Sequence, residues 1–246
     1  MILMEPVNFD ELFKKRNKNV YSIEFKRYED IIANHKELAH FYRKEIIYLE
    51  NTISKDIDSV IYTKGGETMF HRGYYCPSLV FTYIVGGTKR GKILKRFSKK
   101  YSFKYGFNKL GELIYVQNND EFEQFQDGQF QEFIIHDRNI EIGITVHRNN
   151  SISSISRCEY KDGKLIRYER SELGMQLGTS KELYMEEYNY VDNQLNDVEI
   201  FHYTHSINVC EKSRYKVGQN SDGEIVYLKG GCLYNGKWDE DEYFFD

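Results

Sequence analysis

Apolar and polar residues alternate with a period of two through most of this 246-residue chain. The run 140–146 is typical, since isoleucine or valine at every second position is separated by Glu141, Gly143 and Thr145. Successive side chains of a strand point to opposite faces of a sheet, so the pattern predicts half-buried antiparallel strands. Similar runs begin near Asp58 and continue to the C-terminus.

Short polar turns separate these runs. The clearest hairpin extends from Glu159 to Tyr168 and turns at Asp162-Gly163. Asp-Gly supplies the positive φ angles of a type I′ turn, so the flanking strands are expected to pair. Further turns are predicted at Gly65-Gly66, Gly86-Gly87, Asn149-Asn150, Asp192-Asn193 and Asn220 to Gly223. Ser171 to Lys181 is predicted to be a longer loop, and the irregular turn spacing favours a meander over a solenoid.

The first 57 residues have a different pattern. Between Tyr28 and Ile53, apolar residues at steps of three and four predict one helix. They are Ile31, Ile32, Leu38, Phe41, Tyr42, Ile46, Leu49 and Ile53. We also predict a short helix over Phe9–Phe13, a short strand over Val20–Phe25 and a buried strand over Leu79–Val85.

The fold class that follows is mainly β (α+β). An N-terminal helical segment, residues 1–57, precedes an antiparallel β-hairpin domain, residues 58–246, and we expect one continuous structural unit. A sheet this long must cover its apolar face, either by curling into a half-barrel or with the helix. The 21 Tyr, 16 Phe and only 2 Pro suit long ladders.

Charge and cysteine content place the chain in the cell interior. The net charge of −4 gives no global attraction to nucleic acid or membrane. We find no signal-like N-terminus and no apolar run of membrane-spanning length, so we expect a cytoplasmic protein. Frequent Lys, Asn, Ile and Tyr are typical of AT-rich bacterial genomes. The 4 cysteines are far apart without a CxxC pair, which predicts four buried free thiols.

The densest charge feature is the run 89–109, which contains no acidic residue. Its candidate binding patch comprises Lys89, Arg90, Lys92, Lys95, Arg96, Lys99, Lys100 and Lys104. Tyr101, Phe103, Tyr105 and Phe107 are interleaved with these residues, so the run could hold single-stranded nucleic acid or an acidic partner. Alternatively, the aromatic side chains face the core and the lysines form a solvated strand face. The strict alternation favours this second interpretation.

The C-terminus has the opposite charge. Asp239 to Glu242 is followed by Tyr243, Phe244 and Phe245. This segment could occupy a basic site on a partner, or it could be a charged end beside a last strand. We favour the second interpretation.

The histidines do not form a recognisable metal site. His202 and His205 are three residues apart on a predicted strand, so their rings point to opposite faces. His35 and His40 are five residues apart on the predicted helix and do not align either. We therefore expect no metal and no other cofactor.

Catalytic signatures are also missing from the sequence. No phosphate-binding loop, dinucleotide fingerprint, HExxH or GxSxG motif occurs. His71 and Cys76 could meet across a turn as a nucleophile pair, but the sequence indicates no third group to orient them. Glu186-Glu187 is no acid–base dyad by itself, because adjacent strand residues face opposite ways.

Two hairpins carry a resemblance to known repeats. Glu159-Tyr160-Lys161-Asp162-Gly163-Lys164-Leu165, and the segment from Tyr215 to Ile225, resemble the Tyr-Asp hairpin repeats of bacterial polymorphic toxins. They are also similar to the MORN-like hairpin repeats of antitoxin-type proteins. Lys161 stands where the repeat has its Asp, and the strict period is missing. The resemblance implies an association with toxin immunity and assigns no functional residue.

Three functions are compatible with the sequence. The first is a non-catalytic cytoplasmic protein that binds another protein, such as a toxin, in the manner of an immunity protein. The second is a nucleic-acid-binding protein that uses the run 89–109. The third is an enzyme with an unrecognised site in a mouth of the sheet, which a pocket of His, Asp or Cys with perturbed pKa would support. An open sheet edge could also pair with a second copy.

Overall fold

A computed structural model describes residues 22–65, 71–84, 90–119, 130–147, 149–173, 182–204, 209–234, 237–238 and 241–245. The short helix expected at Phe9–Phe13 lies outside the described residues, as do Lys89 and His205. The same holds for the turn at Gly86-Gly87 and for most of the loop expected at Ser171–Lys181.

Two helices occupy the described N-terminal part, which begins at Ser22. Helix α1 spans Ser22–Arg43 and helix α2 spans Ile46–Asp56. The prediction of one helix was wrong here, because a tight turn separates the two: the Glu45 amide donates to the Tyr42 carbonyl at 2.9 Å. Apolar steps continue from Tyr42 to Ile46, so periodicity did not show the break. Neither described helix has the length and apolar character needed to cross a bilayer.

The strand expected over Val20–Phe25 was also wrong for its described part, since Ser22 to Phe25 form the first turn of α1. Six residues are too few to separate a period of two from a helical one. The neighbouring helical pattern therefore determined the local structure.

Fourteen strands of the described chain form one antiparallel sheet. They are β1 (Ser59–Lys64), β2 (Lys92–Ile93), β3 (Phe103–Phe107), β4 (Leu113–Asn118), β5 (Phe130–Asp137), β6 (Ile140–His147), β7 (Ile152–Lys161), β8 (Lys164–Glu172), β9 (Glu182–Val191), β10 (Gln194–Thr204), β11 (Val209–Gln219), β12 (Ile225–Tyr234), β13 (Lys237–Trp238) and β14 (Asp241–Phe244). From β3 to β12, consecutive strands pair with each other. Strand β1 pairs with β3 and β2, and β12 pairs with β13 and β14. The predicted mainly β fold with an antiparallel meander is confirmed, and the sheet is open.

The hairpin turns at Asp162-Gly163 and Asp192-Asn193 lie where the sequence predicted them. Asp162 and Gly163 have φ angles of 52° and 75° between β7 and β8. Asp192 and Asn193 have φ angles of 49° and 70° between β9 and β10. The left-handed region is accessible to Gly, Asn and Asp, so local turn chemistry sets the register of both hairpins.

One face of the sheet, the helix face, packs against α1 and α2. Ala39, Ile46 and Ile53 contact a row of strand residues that includes Phe133 and Ile155, all buried. The row continues across the sheet in register, since Phe133 pairs with Ile144 and Ile144 pairs with Ile155. The apolar side of the alternating pattern therefore forms the core beneath the helices.

The opposite face is covered by residues 71–84, which we call the covering segment. It contains a 3₁₀ turn, Gly73–Tyr75, and a short helix α3, Phe81–Ile84. The buried strand predicted over Leu79–Val85 was therefore wrong in its described part. The Ser78 hydroxyl accepts a hydrogen bond from the Phe81 amide at 2.9 Å and so caps the start of the helical turn. The apolar run in the sequence did not reveal this cap.

Candidate functional site

The predicted basic patch lies at the β2 end of the sheet. Five of its side chains, which we call the basic edge, are exposed and have no ion-pair partner among the described residues: Lys92, Lys95, Arg96, Lys99 and Lys100. Arg90 instead braces the covering segment, because it donates to the Cys76 carbonyl at 2.7 Å and also to the Ser78 carbonyl. The Lys104 ammonium lies 5.6 Å from the centre of the Tyr115 ring. The structure thus separates a surface group of cations from two that make internal contacts.

Aromatic residues of the same run divide in a similar way. Phe103 and Tyr105 are buried on β3, as the alternation predicted. Tyr101 instead packs beside Tyr62, with ring centres 5.0 Å apart. Phe97 also contacts Tyr62 and is 63% exposed. An exposed aromatic side chain therefore stands among the lysines of the basic edge.

A second site, which the sequence did not predict, lies between the covering segment and strands β8 to β10. It is a cleft of about 200 Å³. Its lining residues are His71, Cys76, Ser78, Phe81, Tyr168, Arg170, Glu172, Glu182, Tyr184 and His202. His71 and Cys76 both line this cleft. The group that could orient His71, which the sequence did not indicate, is the carboxylate of Glu132 on β5.

His71 connects the cleft to a buried ion network. Its Nε2 lies 3.1 Å and 3.0 Å from the two oxygens of Glu132, and its Nδ1 lies 2.9 Å from the Tyr168 hydroxyl. Because an ionised carboxylate only accepts hydrogen bonds, Nε2 carries the proton and the Tyr168 hydroxyl donates to Nδ1. Burial lowers the pKa of His71 to about 4, although Glu132 opposes the shift. The imidazole is therefore neutral at pH 7.

Arg72 is the cation of this network. Its Nε donates to Glu132 at 2.8 Å, its Nη1 donates to Glu141, and its Nη2 donates to the Ser156 hydroxyl at 3.1 Å. Burial would raise the pKa of Glu132, but Arg72 and His71 hold that pKa far below its usual value. Arg72 has a φ angle of 62°, a conformation that costs free energy for a residue with a Cβ. We infer that the network holds this backbone in place.

Glu186 is a second buried carboxylate beneath the covering segment. Ser78 donates to it at 2.6 Å, and the hydroxyls of Tyr184 and Tyr188 donate as well. Burial raises the pKa of Glu186, and the three hydroxyl donors offset only part of the shift. No arginine or lysine among the described residues forms an ion pair with this carboxylate.

The two buried cysteines of the described residues, Cys76 and Cys158, do not supply an activated thiol. Burial raises the pKa of Cys76 to about 11 and raises that of Cys158 well above its usual value, so both are protonated at pH 7. Cys76, Cys158 and Cys232 are free. Cys232 is exposed because it lies on β12 near the end of the sheet. The expectation of four buried thiols was therefore wrong for this residue.

The remaining histidines occupy separate places. His35 is buried, with its ring nitrogens 2.7 Å from Ser171 Oγ and 3.2 Å from Glu169 Oε1, whereas His40 is exposed. His202 lines the cleft mouth, 4.0 Å from Glu211. Across the described residues, no group of three or more His, Cys, Asp and Glu side chains is arranged to hold a metal ion.

The acidic C-terminus forms part of the sheet. Asp241–Phe244 is β14, and the Glu242 carboxylate accepts from Lys229 at 2.7 Å. Phe244 is 76% exposed, and the Phe245 ring lies 4.8 Å from that of Tyr83 on α3. The described part of the segment is therefore a charged last strand, while Asp239 and Glu240 lie outside it.

Comparison of the chain with protein-family models, curated proteins and solved structures finds no match. Any functional assignment therefore depends on the two sites themselves.

Proposed function

We propose that this protein is a non-catalytic cytoplasmic binding protein that docks an acidic surface of a partner protein on the basic edge. The observation that carries the proposal is a group of exposed cations that form no ion pair within the described chain, whereas the buried charges of the protein are paired or hydrogen-bonded internally. The cations from Lys92 to Lys100 have no ion-pair partner among the described residues. Exposed charges that meet opposite charges on a partner steer association and fix its orientation.

Apolar side chains beside these cations support a protein partner. Phe97 is 63% exposed and Ile93 is 45% exposed. Val60, on the neighbouring strand β1, is 40% exposed. Aromatic and apolar anchors ringed by charge are typical of the energetically important part of an interface. An immunity-like inhibitor, the role that the hairpin resemblance implies, would need such an anchor and no catalytic group.

Catalysis in the cleft is less well supported. The cleft gathers perturbed groups, and that observation favours an enzyme. However, both ring nitrogens of His71 are hydrogen-bonded, and its lowered pKa makes the ring a weak base. The raised pKa of Cys76 removes the thiolate that a nucleophilic mechanism needs.

The test compares two variants with the same change in charge. One replaces Lys95, Arg96, Lys99 and Lys100 by Glu. The control replaces four exposed lysines elsewhere, Lys44, Lys55, Lys161 and Lys216, by Glu. Partners are captured from the native host, cross-linked and mapped, and their affinity is then measured with purified components.

We expect the control to retain a stoichiometric protein partner that cross-links to residues 92–100 through an acidic surface. The basic-edge variant should lose that partner. Equal retention by both variants, or recovery of no stoichiometric partner by the wild type, would overturn the proposal.

Nucleic acid is the second candidate, because Phe97 offers an exposed ring among cations. This alternative predicts that the protein binds a fluorescent single-stranded oligonucleotide with a strong salt dependence. Phe97→Ala should then weaken binding about tenfold, since base stacking contributes about 1–3 kcal/mol. Unchanged affinity of Phe97→Ala, or no binding at low salt, would exclude this mode.

A further inference from the structure

Two carboxylates face each other at the mouth of the cleft. Glu172 on β8 and Glu182 on β9 are directly opposite in the strand register and both line the cleft. Directly opposed side chains on neighbouring strands have Cβ atoms about 5 Å apart, where like charges repel. Such a pair favours a cation between its members.

The protein itself supplies only part of the positive charge that would balance Glu172 and Glu182. Arg170 Nη2 lies 2.5 Å from Glu172 Oε1. Glu182 has no hydrogen-bond or ion-pair partner within the described part of the chain. Since the His71 imidazole is neutral at pH 7, two carboxylates against one guanidinium leave an excess negative charge in the cleft.

Aromatic rings form the adjoining wall. Tyr184 stands edge-on to Phe81 with ring centres 6.1 Å apart, and it stands edge-on to Tyr168 at the same separation. A carboxylate beside aromatic rings suits an organic cation, because the ring faces attract positive charge while the carboxylate accepts its hydrogen bonds.

The size of the cleft limits its ligand. A volume of about 200 Å³ is smaller than that of a typical pocket for a drug-sized molecule. It suits a group no larger than one amino-acid side chain. No metal-binding cluster occurs among the described residues, so an organic cation fits the cleft better than a metal ion.

We propose that the cleft binds a small organic cation, an ammonium or guanidinium group held between Glu182 and Glu172 against Tyr184 and Phe81. The group belongs either to a free amine or to a lysine or arginine side chain of a partner. This site lies apart from the basic edge and does not depend on the function proposed for that edge.

The experiment measures binding of defined probes to the full chain by calorimetry at low salt. Agmatine and cadaverine represent free guanidinium and ammonium ligands. Acetyl-Gly-Arg-Gly-amide represents a partner side chain, and glutamate serves as the anionic control. We expect saturable binding of at least one cationic probe and none of glutamate. Tighter binding of the peptide would identify a partner side chain, and tighter binding of agmatine or cadaverine would identify a free amine.

Three variants test the location of the site. Glu182→Gln and Glu172→Gln should each lower the affinity for the cation about tenfold or more, because a hydrogen bond between charged groups is lost. Glu159→Gln, which removes a partly exposed carboxylate from the other face, should bind as the wild type does. The fourfold basic-edge variant should also bind normally, which separates this proposal from the previous one.

Failure of all three cationic probes to bind the folded wild type would overturn the proposal. So would an equal loss of affinity in Glu159→Gln and Glu182→Gln. Far-ultraviolet circular dichroism confirms that each variant is folded, and Glu172→Gln provides the test if Glu182→Gln does not fold.

Discussion

Two buried glutamates anchor the covering segment to the sheet, and the pKa values of their carboxyl groups shift in opposite directions. Glu132 and Glu186 are both 0% exposed. Glu132 contacts Arg72 and His71, whereas Glu186 accepts hydrogen bonds from three hydroxyl groups. The pKa of Glu132 is held far below its usual value and that of Glu186 is raised.

The difference shows that neighbouring charge, more than burial, sets the direction in which the pKa of a buried carboxylate shifts. Burial alone would raise the pKa of both groups. Full positive charge on Arg72 reverses the shift for Glu132. Hydroxyl dipoles near Glu186 are too weak to do so. One end of the covering segment is therefore held by an ion network and the other by hydroxyl hydrogen bonds.

Removal of the Arg72 charge should destabilise the Glu132 anchor more than any other change considered for the two anchors. Arg72→Met leaves Glu132 and Glu141 buried without their cation. We expect the free energy of unfolding to fall by about 3–5 kcal/mol, the usual cost of breaking a buried ion pair. Methionine has a Cβ like arginine, so the cost of the left-handed backbone is unchanged. Urea unfolding at pH 7 measures the loss.

An exposed arginine provides the control for this variant. Arg214 pairs with Asp197 at 3.2 Å, but its side chain is 49% exposed. Arg214→Met should cost less than about 1 kcal/mol, because solvent screens such pairs. Similar losses in both variants would show that the buried network contributes no special stability.

Local chemistry and long-range register explain what the sequence could and could not predict. The turn at Asp162-Gly163 was predictable because two adjacent residues determine it. The cleft and the ion network beside it were not, since His71 and Arg72 come from a loop while Glu132 and Tyr168 come from distant strands. Their meeting depends on the register of the intervening hairpins, which alternation leaves open by steps of two residues.

One signal of the buried network was present in the sequence. Gly143 takes one of the non-apolar positions in the middle of β6, where a glycine without a turn indicates a close approach of other groups. The Arg72 guanidinium lies over this glycine. Basic residues of the run 89–109 were recognisable by composition, but only the structure separates Arg90 and Lys104 from the exposed ones.

Gly143→Ala should disturb the Glu132 anchor and leave the Glu186 anchor intact. A Cβ at this position would overlap Glu132 Oε1, Ser156 Oγ and Arg72 Nη2. These atoms cannot move away cheaply, because the ion network holds them. We expect a loss of about 2–3 kcal/mol in the free energy of unfolding, the upper part of the range for overpacking.

Gly163→Ala is the matched control, since nothing lies within 4 Å of a Cβ added there. Its φ angle of 75° imposes only a backbone cost. We expect a loss of about 1 kcal/mol, comparable to other left-handed positions. A smaller loss for Gly143→Ala than for Gly163→Ala would contradict the close packing of the network.

Acid should lower the free energy of unfolding through protonation of His71. The pKa of His71 falls from about 6.5 in the unfolded chain to about 4 in the folded protein, so the unfolded state binds more protons between these values. Stability is therefore lost as the pH falls through that window. We expect about 2 kcal/mol between pH 7 and pH 5 from this group. Comparison of unfolding curves with those of His71→Gln isolates it, and parallel pH profiles would refute it.

Glu186→Gln should have the smallest effect. The amide keeps one oxygen for the Ser78 or tyrosine hydroxyls, and these hydroxyls can rotate to accept from its nitrogen. Because Glu186 has no ion-pair partner among the described residues, the substitution breaks no ion pair and alters only these hydrogen bonds. We expect a change within about 1 kcal/mol at pH 7, measured by urea unfolding beside Glu132→Gln, which should cost about 3 kcal/mol or more.

The raised pKa of Glu186 means that the folded protein binds this proton more tightly than the unfolded chain. The wild type should therefore gain stability from this group as the pH falls towards the unfolded pKa, and Glu186→Gln should lack that gain. Equal costs for the two glutamine variants would show that the neighbouring cation does not distinguish these anchors.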